Sequence, residues 1–196
     1  VMPVFESLRD CGIPLSIDTM KPEVMRAAID AGASMVNDVY ALRAPEAIEA
    51  CARADVAVCL MHMLDTPRTM QQDPQYGDVV SEIEQFLLQR ARACEQAGIA
   101  RERIVIDPGF GFGKTSQHNL DLMRAIPAFA TLGYAVMVGI SRKSVLGRLV
   151  GKHAGGRLAA SLSAALLLAQ RGAHILRVHD VQATVDALKV WQAVEL

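Results

Sequence analysis

Ile104-Val-Ile-Asp-Pro-Gly-Phe-Gly-Phe-Gly-Lys114 decides how the rest of the chain reads. Ile104, Val105 and Ile106 are β-branched and apolar, which marks a short buried strand with Asp107 at its carboxyl end. Pro108 has no N–H to donate and stops the strand. Gly109, Gly111 and Gly113 allow a sharp turn and close approach of backbone to a ligand. Phe110 and Phe112 read as apolar plates in a loop that would otherwise be polar. A carboxylate at a strand end, beside an aromatic-lined glycine loop, suits a flat heterocycle with a polar edge. The plainer alternative is a strand-to-helix turn with an acidic cap.

Outward from this stretch the same unit recurs. Short apolar runs lie at 14–18, 34–38, 57–61, 104–107, 135–139 and 174–178. Between and after them come helical patterns: 22–31, 45–53, 78–97, 119–130 (interrupted by Pro127), 156–171 and 181–194. Several open on proline or close on glycine, the expected helix punctuation. Alternating strand and helix means parallel strands flanked by helices, as an open doubly wound sheet or as a (β/α)8 TIM barrel. Asp18, Asn37, Asp107, Ser141, Arg177 and His179 fall at or just past the ends of their strands. Nearly every strand thus contributes to one face, and no GxGxxG follows the first strand. Both features favour the barrel.

Such a barrel typically has eight units in ~250 residues, whereas this sequence of 196 shows about six. The residues from Val1 to Leu8 look like the end of a helix. The reading is therefore a single barrel domain over 1–196 with two βα units missing from its front and two apolar sheet edges exposed.

Charge excludes other classes. Twenty basic residues balance 21 acidic ones, which offers no field for nucleic acid or an anionic membrane. No segment is long and apolar enough to span a bilayer, and the first residues lack a signal-peptide layout. Cys11, Cys51, Cys59 and Cys94 show no CxxC spacing and read as reduced core thiols of a cytoplasmic protein.

Asp18, Asn37 and Asp107 together would place two carboxylates and an amide on one rim, matching an amino-substituted ring edge. Taken alone, Asp18 in SIDTMKP reads as a helix cap. In Gly139-Ile-Ser-Arg-Lys-Ser, Ser141 is a candidate cap, with Arg142, Lys143 and Ser144 in the first helical turn. Cations there oppose the helix dipole, so an anion site explains them better than local stability does. Alternation sends Arg177 and His179 to one face, where an arginine and a histidine suit a diphosphate. Met61-His62-Met63 reads as core packing with soft sulfur walls rather than as a metal site. His118, His153 and His174 carry no assigned role.

With these residues in place, the chain resembles the dihydropteroate synthase family. SIDTMKP, VND, CLMHM, DPGFGFGK, GISRKS and RVHDV occur in that family's order and at similar spacings. The resemblance implies condensation of 6-hydroxymethyl-7,8-dihydropterin diphosphate with 4-aminobenzoate, with Mg²⁺, in a homodimer. It implies Asp18, Asn37, Asp107 and Lys143 on the pterin edge, with Met61, Phe112 and Gly139 shaping the pocket. Arg177 and His179 would bind diphosphate, and Ser144 and Arg142 the benzoate carboxylate. The family's NVTPDSFSDGG-like loop, which supplies a metal-linked asparagine, and its GGESTRPG-like loop do not occur in this sequence, so no metal ligand is assigned. Two other readings compete. One is the pterin-binding domain of a methyltetrahydrofolate-dependent methyltransferase; the other is a non-catalytic pterin-binding chain.

Overall fold

The structure, a computed structural model, describes residues 1–195; the last residue of the expected domain, 196, lies outside them. Six strands run in sequence: β1 (Ser16–Asp18), β2 (Met35–Asp38), β3 (Ala57–Met61), β4 (Ile104–Asp107), β5 (Ala135–Val138) and β6 (Ile175–Leu176). All pairs are parallel and each strand lies beside its sequence neighbour, in the order β1 to β6. The helices are α1 (Met2–Leu8), α2 (Pro22–Asp30), α3 (Ala47–Ala52), α4 (Val79–Gln96), α5 (Ser116–Ala130), α6 (Ser144–Val150), α7 (Leu158–Gln170) and α8 (Val181–Glu195). Six βα units are present. The sheet curls until Arg177, just past β6, reaches Asp18 at the end of β1, with 2.6 Å between Nη2 and Oδ2.

The strands are apolar on both faces because both faces are covered. Val36, Val58, Leu60, Ile104, Ile106, Val136 and Val138 belong to one large cluster with the helices, which runs from Phe5 in α1 to Leu168 in α7. The alternate residues Cys59, Val105 and Met137 form a smaller inner cluster, packed by Met35, Ala135 and Ile175. Cys51, Cys59 and Cys94 are buried as expected, but Cys11, in the turn between α1 and β1, is exposed and no core thiol. Register carries this alternation across the sheet: Asp18 pairs with Asn37, Asn37 with Cys59, Cys59 with Val105, and Met61 with Asp107. Between the edges of β1 and β6 opens a cleft of about 440 Å³, lined among others by Leu15, Met35, Asn37, Met137, Leu176 and Arg177.

Several boundaries differ from expectation. β6 is two residues long, not five, since an edge strand is paired on one side only; ladder bonds from His174 and Arg177 to Val136 and Val138 flank it. The helix expected from 119 starts at Ser116, because Thr115 and His118 form a capping box. Pro127 does not interrupt that helix. Its neighbours Ile126 and Phe129 are fully buried, and their packing offsets the one backbone bond a proline removes. The helix expected over 45–53 is shorter, since Glu46 sits at φ 65°, a left-handed conformation that stops it.

Candidate active site

The strand ends bring the expected polar residues to one rim. Asp107 closes β4, 5% exposed, and its Oδ1 accepts the Gly109 N–H at 2.7 Å. Burial raises its pKa to about 6, against the pull of that hydrogen bond and of the Lys114, Lys143 and Arg177 charges. Asn37 closes the same rim from β2. It is equally buried, and its Oδ1 has no hydrogen-bond partner. An unsatisfied buried acceptor costs stability, so this atom is open to a donor from outside the chain. Its neighbour Asp38 is structural: fully buried, it accepts the Tyr40 and Leu42 N–H groups at 2.7 and 2.8 Å. Asp18 does not cap α2. Lys21 holds the N-cap position, Thr19 Oγ1 accepts the Lys21 N–H, and Asp18 turns to Arg177.

The glycine loop is built by close approach. A Cβ at Gly109 would stand 2.0 Å from the His62 carbonyl oxygen, and one at Gly113 2.4 Å from Leu64 Cβ; φ is +71° and +69° at these positions. From above, Tyr76 Oη donates to the Gly113 carbonyl at 2.9 Å and the Gln71 amide donates to that of Gly111. From below, Asn119 Oδ1 accepts the Gly111 N–H at 2.7 Å. The two phenylalanines part company. Phe110 packs into the core, leaving Phe112 half-buried with Lys143 Nζ 4.2 Å from its ring centroid. Met61 is buried at the end of β3, and Gly139, after β5, leaves Arg177 Cβ at van der Waals distance from where its own Cβ would be.

The segment before α6 is a correction to the expected helical turn. The helix starts at Ser144, with Lys143 as N-cap. Arg142 stands outside it at φ 58°, locked by tertiary contacts: its N–H donates to Ser161 Oγ at 3.0 Å and its carbonyl accepts from Arg157. Ser141 caps nothing; its Oγ accepts the His179 N–H at 3.3 Å and lies 3.1 Å from His179 Nδ1. The freed Lys143 side chain reaches back to Phe112. Burial lowers its pKa, while Asp107 opposes that shift. Arg142 makes two bonds to Asp180, at 3.1 and 2.5 Å, which hold the Asp180 carboxyl below the usual range. Ser144 is exposed at the first position of α6. Thus Asp18, Asn37, Asp107, Lys143 and Arg177 share the rim, whereas Arg142 is turned to Asp180 and His179 to Ser141.

Lys114 and His62, to which the sequence reading gave no chemistry, form a buried contact of 3.0 Å beneath the glycine loop. The only signal in the sequence was the lysine that ends the glycine motif. Among the described residues, no three His, Cys, Asp or Glu side chains converge to hold a metal ion.

A buried carboxylate, an unsatisfied amide oxygen, an aromatic plate and the cations Lys143 and Arg177 thus lie on one rim of a curled parallel sheet, and the comparisons place that sheet among the pterin-binding enzymes. The pattern of the family described as pterin binding enzyme matches residues 1–179. The dihydropteroate synthase of Escherichia coli K12 is 44% identical over 194 residues, which cover 98% of this chain and 69% of that protein. Two Xanthomonas albilineans dihydropteroate synthase structures superpose with TM-scores of 0.93. The one in complex with 7,8-dihydropteroate is 52% identical, over all of this chain and 72% of its own. The one with 4-aminobenzoic acid is 53% identical, over all of this chain and 70% of its own. Within the pterin-binding enzymes, the chain belongs to the dihydropteroate synthases.

Proposed function

We propose that the chain condenses 6-hydroxymethyl-7,8-dihydropterin diphosphate with 4-aminobenzoate, giving 7,8-dihydropteroate and diphosphate in folate biosynthesis. The observation that carries this reading is the buried pair of acceptors, Asp107 and the unpartnered Asn37 Oδ1, set beside Lys143 and Phe112. A pterin edge presents N–H donors to such acceptors and a carbonyl oxygen to a lysine. Met61 and Phe112 wall the ring, and Gly139 keeps the floor open. Held so, the exocyclic methylene carbon is fixed for attack by the amine of 4-aminobenzoate. A C–N bond forms, the C–O bond to diphosphate breaks, and the amine gives up a proton. Arg177 and His179 stabilise the negative charge leaving with diphosphate, and Arg142 with Ser144 receives the benzoate carboxylate. The anion groups Arg177 and His179 favour a diphosphate-bearing pterin over the methylated folate of a methyltransferase.

Calorimetric titration with a 7,8-dihydropterin diphosphate analogue tests the reading. Binding by the unsubstituted chain and its loss in Asp107→Ala is the expected result. Binding that survives Asp107→Ala unchanged overturns it.

The proposal extends to a cytoplasmic homodimer. No helix among the described residues is long and apolar enough to cross a membrane, and Cys51, Cys59 and Cys94 are buried free thiols. Leu158 and Leu167 of α7 and Val185 and Val190 of α8 leave large apolar groups exposed. Sedimentation at twice the chain mass is expected, and a monomer at all concentrations refutes the dimer.

A further inference from the structure

Beneath the glycine loop lies a pair of titratable side chains that the proposed reaction does not use. Lys114 is 2% exposed. Its Nζ lies 3.0 Å from His62 Nδ1 and donates to the carbonyls of Phe112, at 2.9 Å, and His62, at 3.4 Å. An ammonium has three hydrogens and no lone pair. Three acceptors match them when His62 is neutral with its own hydrogen on Nε2. The surroundings keep it neutral: burial first, then the Lys114 and Arg43 charges, bring the His62 pKa down to about 3. Burial lowers Lys114 to about 7, with Asp107 acting the other way.

We propose that Lys114 and His62 form a buried positioning pair for the pterin site, in which the seated ammonium fixes the Phe112 turn and holds a positive charge close to Asp107. The inference rests on the pterin reading above. Holding the loop does not by itself require a cation, since Asn119 already binds Gly111 with a neutral amide. Burying an ammonium is expensive, so its charge calls for a purpose, and the Asp107 carboxylate supplies one. The pair also connects directly to the site. The Phe112 carbonyl is bonded to Lys114, the Phe112 ring lies against Lys143, and the His62 N–H donates to the Asp107 carbonyl at 3.0 Å. The charges of Lys114 in its own loop, of Lys143 at the start of α6 and of Arg177 after β6 all act to lower the Asp107 pKa. Arg177 is in turn paired with Asp18, and Cys59 of β3 lies within reach of the same charges.

The test has two readouts on the full chain. One is the titration of the Asp107 carboxyl by carbon-13 NMR without ligand. The other is calorimetric affinity for 7,8-dihydropteroate from about pH 5 to about pH 9. In Lys114→Met the Asp107 midpoint is expected to rise by roughly one pH unit, with roughly tenfold weaker binding below neutrality. His62→Leu, which removes one acceptor, shifts both in the same direction by less. His62→Asn, whose amide oxygen can accept the Nζ–H, restores them. Should Lys114→Met not fold, the two His62 variants decide. A fall in melting temperature with the Asp107 midpoint and the affinity unchanged overturns the pair. If the midpoint shifts as expected but even the unsubstituted chain binds no pterin, the pterin reading fails and the pair's effect on Asp107 stands.

Discussion

The two sides of the rim are held together by different physics. Around Asp107 the bonds are buried and closed within the chain: carboxylate to Gly109, amide to Gly111, ammonium to two carbonyls and an imidazole. Around the arginines they are exposed. Side chains in the Arg177–Asp18 pair are 59% and 43% accessible, and those in Arg142–Asp180 are 45% and 23% accessible. Ion pairs in water are weak and screened by salt, so a ligand's phosphate or carboxylate can take the carboxylate's place. Buried bonds in a dry loop cannot be exchanged that way. The Asp107 side is therefore prebuilt, and the arginine side is a set of replaceable partners.

Gly109→Ala strikes the prebuilt side hardest. Its Cβ would stand 2.0 Å from the His62 carbonyl oxygen, on a backbone at φ +71°. Urea denaturation should show a loss of roughly 3 kcal/mol or more, since overlap and backbone strain add. A variant as stable as the parent would mean that the loop is not rigid.

The pH response is the next largest effect. Asp107 has a folded-state pKa of about 6 against an ordinary 3.8. Protonation thus favours the fold, and this group's contribution to stability rises as pH falls from about 6 toward 3.8. Pterin affinity should decline over the same window, by up to roughly tenfold per unit, because a protonated carboxyl gives up an acceptor. Affinity and the Asp107 share of stability moving together would contradict the assignment.

Arg177→Met tests the replaceable side and should do least to the fold. Affinity for the pterin diphosphate is expected to fall roughly tenfold and to lose its salt dependence. Affinity for a pterin without diphosphate should change by less than about threefold. Equal losses for both ligands would erase the distinction between the two sides.

Much of this architecture was legible because parallel strands buried on both faces write themselves as β-branched runs, as at Ile104–Ile106. Polar residues that end such runs, Asp18, Asn37 and Asp107, could be assigned to a common rim without coordinates. The loop before α6 was not legible. Arg142 takes a left-handed conformation because Ser161, Arg157 and Asp180, between 15 and 38 residues away, hold its backbone and guanidinium. No local propensity encodes that. Lys114 failed for a related reason: a lysine among glycines reads as solvated, and its imidazole acceptor arrives from a strand end 52 residues earlier. Phe110 and Phe112 are alike in sequence, and only the turn of the backbone sends one to the core and leaves the other beside Lys143.

The sequential order of the sheet has a consequence for how the chain reaches its final state. Each strand pairs with the one made just before it, so every ladder joins positions only 19 to 46 residues apart. The Arg177–Asp18 bond is different in kind, joining positions 159 residues apart across the mouth of the curl. It cannot form until all six strands are in place. The rim is thus closed by its most distant contact, and a ligand that bridges it acts as a clasp, stabilising the curled sheet by binding the folded state alone.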